Sequence, residues 1–222
     1  LPRAVDTRLF DPRLRDEALR ADWGLGPGAL AVIHVGRIAP EKNLPLAVEA
    51  FRAIQARHPE ARFVWVGDGP GRDALQRAHP DFIFRGIRRG EDLARHFASA
   101  DLFLFPSRSE TFGNVTLEAM ASGVPTVAFD YGAARECLRD AHGAAVAGQH
   151  ASRAADDAFV AAAVRIAGDA ALRTRMGMAA RDAVSALRPA QVAADFDTLL
   201  HRLAREATAH GQPQPAAPLA RQ

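Results

Sequence analysis

Ala29-Leu30-Ala31-Val32-Ile33-His34-Val35-Gly36 is the stretch on which the fold turns. Its first seven residues are apolar except for His34, so the spacing predicts a strand buried on both faces. A polar loop follows, Arg37-Ile38-Ala39-Pro40-Glu41-Lys42-Asn43. Residues 44–57 then carry Leu46, Val48, Phe51 and Ile54 at mixed three- and four-residue steps, a helix pattern stopped ahead of Pro59. A doubly buried strand that feeds an amphipathic helix opens a parallel sheet covered by helices.

The same alternation repeats outward from there. Strands are expected at 62–66, 81–84, 101–105 and 126–129, with helices ending near 78 and spanning 91–98 and 113–122. From Asp156 the chain reads mostly helical, with a last helix at 190–203. The expected class is α/β, a Rossmann-like, doubly wound parallel sheet flanked by helices. Such sheets take ligands beyond the C-terminal ends of their strands, which singles out the loops 36–43, 67–70, 85–90, 106–112 and 130–133. Residues 1–22 read as a leading link rather than a domain start, and the chain as one piece of a longer protein. After 205 the run Gly211-Gln212-Pro213-Gln214-Pro215 reads as a disordered tail, 206–222.

Composition narrows the function. The 222 residues hold 28 Lys+Arg against 26 Asp+Glu, too even a balance for a protein that grips nucleic acid electrostatically. No apolar run approaches the roughly 20 residues that span a bilayer. Cys137 is the only cysteine, so an intrachain disulfide is excluded and a cytoplasmic setting is expected. The eight histidines show no metal-ligand spacing. Lys42 is the only lysine, and Asn43 and Asn114 are the only asparagines. All three fall in the two segments that carry chemistry on other grounds.

The first of these is Gly36 to Asn43. Gly36 lets the backbone turn and approach a ligand. Arg37 offers a planar fork of donors and Lys42 a compact charge five residues on, a pair suited to a diphosphate. The local sequence reads equally well as a surface loop in which Glu41 pairs with a neighbouring cation. The second segment is Ser109-Glu110-Thr111-Phe112-Gly113-Asn114-Val115-Thr116-Leu117-Glu118. A helix beginning at Gly113-Asn114 presents free N–H groups and a positive dipole end to an anion. Glu110 before it and Glu118 inside it are acceptors for sugar hydroxyls; alternatively Glu118 merely favours the dipole and Glu110 is solvated. Gly67-Asp68-Gly69-Pro70-Gly71-Arg72 is half a dinucleotide fingerprint that fails where Arg72 stands, and reads better as a tight turn into a helix. His34 is expected to be a satisfied core histidine, and no Asp-x-Asp metal motif accompanies the loops.

Together these motifs resemble the family 4 retaining glycosyltransferases over about residues 4–205. The resemblance rests on Gly36-Arg37 with Glu41-Lys42-Asn43, on Gly67-Asp68-Gly69-Pro70, and above all on Glu110-Thr111-Phe112-Gly113 with Leu117-Glu118-Ala119-Met120, whose two glutamates match the family's E-x7-E signature. It implies that residues 23–205 are the nucleotide-sugar-binding, C-terminal half of a GT-B fold. It further implies that 1–22 lead in from an acceptor-binding N-terminal domain. The wording is similar to GDP-mannose-dependent α-mannosyltransferases acting on glycolipids, with a UDP-sugar-dependent sulfoquinovosyl or glucosyl type as the alternative. A nicotinamide-dependent oxidoreductase on the same fold is the competing class. Under the resemblance Arg37, Lys42 and Glu110 are catalytic. The donor is held by Gly36, Arg37, Lys42, Glu110, Phe112, Gly113, Asn114 and Glu118, with the base near 84–87. No metal or other cofactor is expected. The implied partners are a nucleoside-diphosphate sugar and a membrane lipid acceptor reached from the inner face of the membrane.

Overall fold

The computed structural model describes residues 3–146 and 152–210. After a short 3-10 turn at Pro12–Leu14, the elements in chain order are α1 (Glu17–Asp22), β1 (Ala31–Val35), a 3-10 turn at Pro40–Lys42, α2 (Leu44–Gln55), β2 (Arg62–Val66), α3 (Arg72–Ala78), β3 (Ile83–Gly86), α4 (Gly90–Ala98) and β4 (Leu102–Phe105). There follow α5 (Asn114–Ala121), β5 (Thr126–Phe129), α6 (Ala133–Cys137), β6 (Gly143–Val146), α7 (Arg153–Ala167), α8 (Ala170–Ala183) and α9 (Pro189–His210). All strand pairings are parallel, in the order β3-β2-β1-β4-β5-β6. The expected doubly wound α/β fold is therefore the observed one.

Strand alternation divides the core into two layers. Ile33 and Val35 join Phe97, Phe103, Phe105, Leu117 and Met120 on one face. Val32 joins Phe51, Phe63, Trp65, Leu102, Leu104 and Phe159 on the other. On the second face α2 packs against α7; on the first α5 packs against α4, α6 and α8. Each fully buried aromatic side chain contributes about 2–3 kcal/mol of transfer free energy, which makes these layers the main source of stability.

Differences from the sequence reading have local causes. The first strand begins at Ala31, not 29, because the Ala31 N–H donates to the Asp101 carboxylate and the Ala29 carbonyl accepts from the Arg20 guanidinium. A sixth strand, β6, and the five-residue α6 are present though not expected as elements. Residues 3–23 also do more than link: Val5, Phe10 and Trp23 are buried in the core. The Arg181 guanidinium clasps this segment to α8, donating to the carbonyls of Thr7, Phe10 and Ala121 and to the Asp11 carboxylate. The last helix continues to His210, past the start of the expected tail, while the part of that tail at 211–222 lies outside the described residues. No helix among the described residues is long and apolar enough to cross a membrane.

Candidate functional site

The winding of the sheet reverses between β1 and β4, and this is where a crevice opens. These strands pair at Val32 with Leu102 and at Ile33 with Phe103, whereas β1 stays paired with β2 through Val35. Beyond the parting lies a cavity of ≈ 650 Å³ at the C-terminal strand ends, the expected place for a ligand on this topology. Its walls include Gly36, Arg37 and Lys42 from the β1 loop and Glu110, Phe112, Gly113 and Asn114 from the β4 loop. Seven of the eight residues singled out for donor binding thus meet at one crevice. The eighth, Glu118, does not line it; it sits further along α5, where burial pushes its carboxyl above the usual carboxylate range.

The β1 loop is held from below and behind. Pro40–Lys42 forms the 3-10 turn, and Asn43 adopts a left-handed conformation, φ 54°, to start α2. A short polar side chain tolerates that conformation, which gives one of the two asparagines a physical reason. The turn after β2 braces the loop: the Ile38 N–H donates to the Asp68 carbonyl at 3.0 Å, and the Gly71 N–H to the Ile38 carbonyl at 2.9 Å. Gly67-Asp68-Gly69-Pro70 therefore serves as a support for the loop and leads into α3.

Arg37, Glu41, Lys42 and Glu110 are already paired within the crevice. Arg37 meets Glu41 at 3.1 Å, both well exposed, which is the surface pairing that the alternative reading of this loop contained. Lys42 Nζ bonds Glu110 Oε1 across the crevice, each side chain only 15% exposed, so Glu110 is not solvated. Tyr131 fixes the Glu110 main chain by donating its hydroxyl to the Glu110 carbonyl at 3.0 Å. Gly113 caps α5 with no side-chain oxygen, leaving the first N–H groups of that helix available to an anion. Among the described residues no group of three His, Cys, Asp or Glu is placed to hold a metal ion.

Three features lay outside the sequence reading. Arg3 reaches the crevice from the leading segment, its guanidinium 5.8 Å above the Phe112 ring, and supplies a third cation that no local motif announces. Tyr131, the only tyrosine, gave no signal of its contact with the Glu110 main chain. His34 is half satisfied. Its Nδ1 donates to the Leu104 carbonyl at 3.1 Å, so Nε2 is an acceptor, and it is buried with no partner. Burial pushes His34 down to about 4, against the raising effect of the Leu104 bond and with a smaller push from the Lys42 charge. It is neutral at pH 7.

With this geometry in place, comparison with known proteins is decisive on family. A family model for glycosyl transferases group 1 matches residues 29–169, which span β1 through α7 and include both loops. The chain belongs to this family. It is 41% identical over 129 residues to a sulfoquinovosyl transferase of Arabidopsis thaliana, covering 57% of this chain and 24% of that protein. It is 43% identical over 136 residues to a GDP-mannose-dependent alpha-mannosyltransferase of Mycolicibacterium smegmatis, covering 61% and 35%. Among solved structures, sucrose-phosphate synthase from Thermosynechococcus elongatus aligns with a TM-score of 0.74 at 25% identity, over 92% of this chain and 52% of that one. The chain thus spans about a quarter to a third of the length of these curated relatives. Membership sets aside the nicotinamide-dependent oxidoreductase. Cys137, half-buried with its thiol pushed up by burial, takes no part in the site.

Proposed function

We propose that this chain is the donor-binding part of a retaining hexosyltransferase that carries mannose from GDP-mannose to a glycolipid or saccharide acceptor. The observation that carries the reading is the meeting, across the β1/β4 crevice, of a cationic loop and a carboxylate loop that starts a helix. Arg37 and Lys42 bind the diphosphate. As the bond to the sugar breaks, negative charge grows on the departing nucleotide, and these two cations stabilise it most in the transition state. The N–H groups at Gly113 and Asn114 add donors from the helix start, and Arg3 adds a third positive charge at the rim. Glu110 accepts hydrogen bonds from the sugar hydroxyls, and Glu118 from the ribose once the nucleotide lies along α5. The base rests near 84–87, where Ile87 stands 60% exposed at the end of β3. The chemistry needs no metal, since protein cations and helix N–H groups carry the charge. The remainder of the protein supplies the acceptor site and brings the enzyme, peripheral and cytoplasmic, to the inner face of the membrane.

A UDP-sugar donor is the second reading, supported by the 41% identity to the sulfoquinovosyl transferase. Calorimetric titration with GDP, UDP, GDP-mannose, UDP-glucose and NADH separates them. GDP and GDP-mannose should bind, and Lys42→Ala should weaken both by about 10- to 100-fold, the loss of charge-assisted bonds to phosphate. Preference for UDP would keep the transferase and discard mannose. Failure of the folded protein to bind any of the five would overturn the site assignment.

A further inference from the structure

Resting on that reading, the crevice contains an arrangement with a consequence for specificity. The ammonium that would hold the donor phosphates, Lys42, is bonded to the carboxylate that would hold the donor sugar, Glu110. Both side chains are mostly shielded from water, and Lys42 Nζ also lies 5.9 Å from the Phe105 ring centroid. The second ion pair of the crevice, Arg37 with Glu41, is 63% and 41% exposed, so solvent readily replaces either partner. Glu110, 15% exposed, is far less open to such replacement by water. A carboxylate taken from its cation in a shielded site is costly unless other donors replace the cation.

We propose that Glu110 determines the discrimination between a sugar nucleotide and the spent nucleoside diphosphate, by competing with the diphosphate for Lys42. A nucleoside diphosphate alone draws Lys42 towards phosphate and leaves Glu110 with no donor and a like charge nearby. A sugar nucleotide brings its own compensation, because its sugar hydroxyls donate to Glu110 as the ammonium leaves. Phosphate and sugar recognition therefore share one ion pair, and each makes the other more favourable. Once the sugar has been transferred, Glu110 loses those hydroxyls and again takes Lys42, which weakens the hold on the nucleotide product. The Tyr131 bond to the Glu110 carbonyl anchors the main chain from which the carboxylate projects.

The test compares affinities of the full-length protein and Glu110→Gln for GDP, GDP-mannose, UDP and UDP-glucose by calorimetry. Glu110→Gln keeps the shape and removes the competing charge. Wild type should bind the sugar nucleotide more tightly than its own nucleoside diphosphate. Glu110→Gln should bind the nucleoside diphosphate about tenfold more tightly than wild type, with the preference for the sugar nucleotide reduced towards one. Nucleoside diphosphate affinity that is unchanged or weaker in Glu110→Gln would overturn the competition while leaving the donor-site reading intact. Were that variant unfolded, wild-type protein binding the bare diphosphate as tightly as the sugar nucleotide would overturn it equally. Wild type that binds neither class of ligand would overturn both.

Discussion

Replacing Gly67 with alanine should displace the β1 loop without altering any side chain in the crevice. A Cβ at this position would stand 1.9 Å from the Gly36 carbonyl oxygen and 2.9 Å from its carbon, in a region where real Cβ atoms keep beyond 3.0 Å. Both obstacles are backbone, so no rotamer relieves them, and the Gly36 carbonyl must retreat by roughly 1 Å or the sheet ends must part. The φ of +136° at Gly67 adds strain of about 1–3 kcal/mol for any side chain. For a chain of this size a loss of about 2–3 kcal/mol lowers Tm by roughly 5–10 °C. The shift also carries Arg37, and a misplacement near 1 Å at a binding group costs up to about 100-fold in function. Gly36→Ala supplies the comparison, because it shares the positive φ, +152°, while its Cβ would meet only His34 Nε2, at an ordinary 3.7 Å. Thermal denaturation should place Gly67→Ala well below Gly36→Ala, and nucleotide titration should show weakened binding by Gly67→Ala. A wild-type melting temperature and affinity for Gly67→Ala would refute the close approach of the two loops.

Stability should also depend on His34. Its pKa is about 4 in the folded chain and near 6.5 when unfolded, so between those values the unfolded state binds more protons. The contribution is complete above pH 6.5 and is lost as pH falls towards 4, amounting to about 3 kcal/mol at most. Glu118, whose carboxyl burial raises, opposes it, since its effect lowers stability as pH climbs past 4.5. Denaturant midpoints measured across pH 4–7 should rise with pH and lose most of that slope in His34→Phe; an unchanged slope would place the titration elsewhere. Arg181→Met should cost about 2–4 kcal/mol, because it leaves three carbonyls without their shared donor while Asp11 keeps its bonds from Arg13, and chemical denaturation should register the loss.

The sheet was legible because its cause is local. Apolar runs such as 31–35 and 102–105 tolerate burial on both faces only between helices, and the loops between them carry the unusual residues. β6 escaped because Gly143-Ala144-Ala145 has small side chains and little strand preference of its own; its place follows from pairing with β5. The site was legible as two motifs, yet not as a circuit. Lys42 and Glu110 are 68 positions apart, and no periodicity reports that they bond. The Arg181 clasp reaches back about 170 positions for the same reason. Glu118 was assigned from its spacing to Glu110, but spacing along a helix says nothing of how deeply neighbours cover it. His34 was correctly expected in the core, but strand periodicity could not show that one of its ring nitrogens would be left unmet.

The solitary lysine makes the crevice chemically addressable. Within these 222 residues every other basic side chain with a permanent charge is an arginine, so an amine-directed acylating reagent meets one side chain, and it is the one bonded to Glu110. A lysine-specific endoprotease likewise has a single cut, between Lys42 and the left-handed Asn43. The rate of either reaction becomes a direct gauge of how tightly that amine is engaged, readable by mass spectrometry on unlabelled protein as each nucleotide is added.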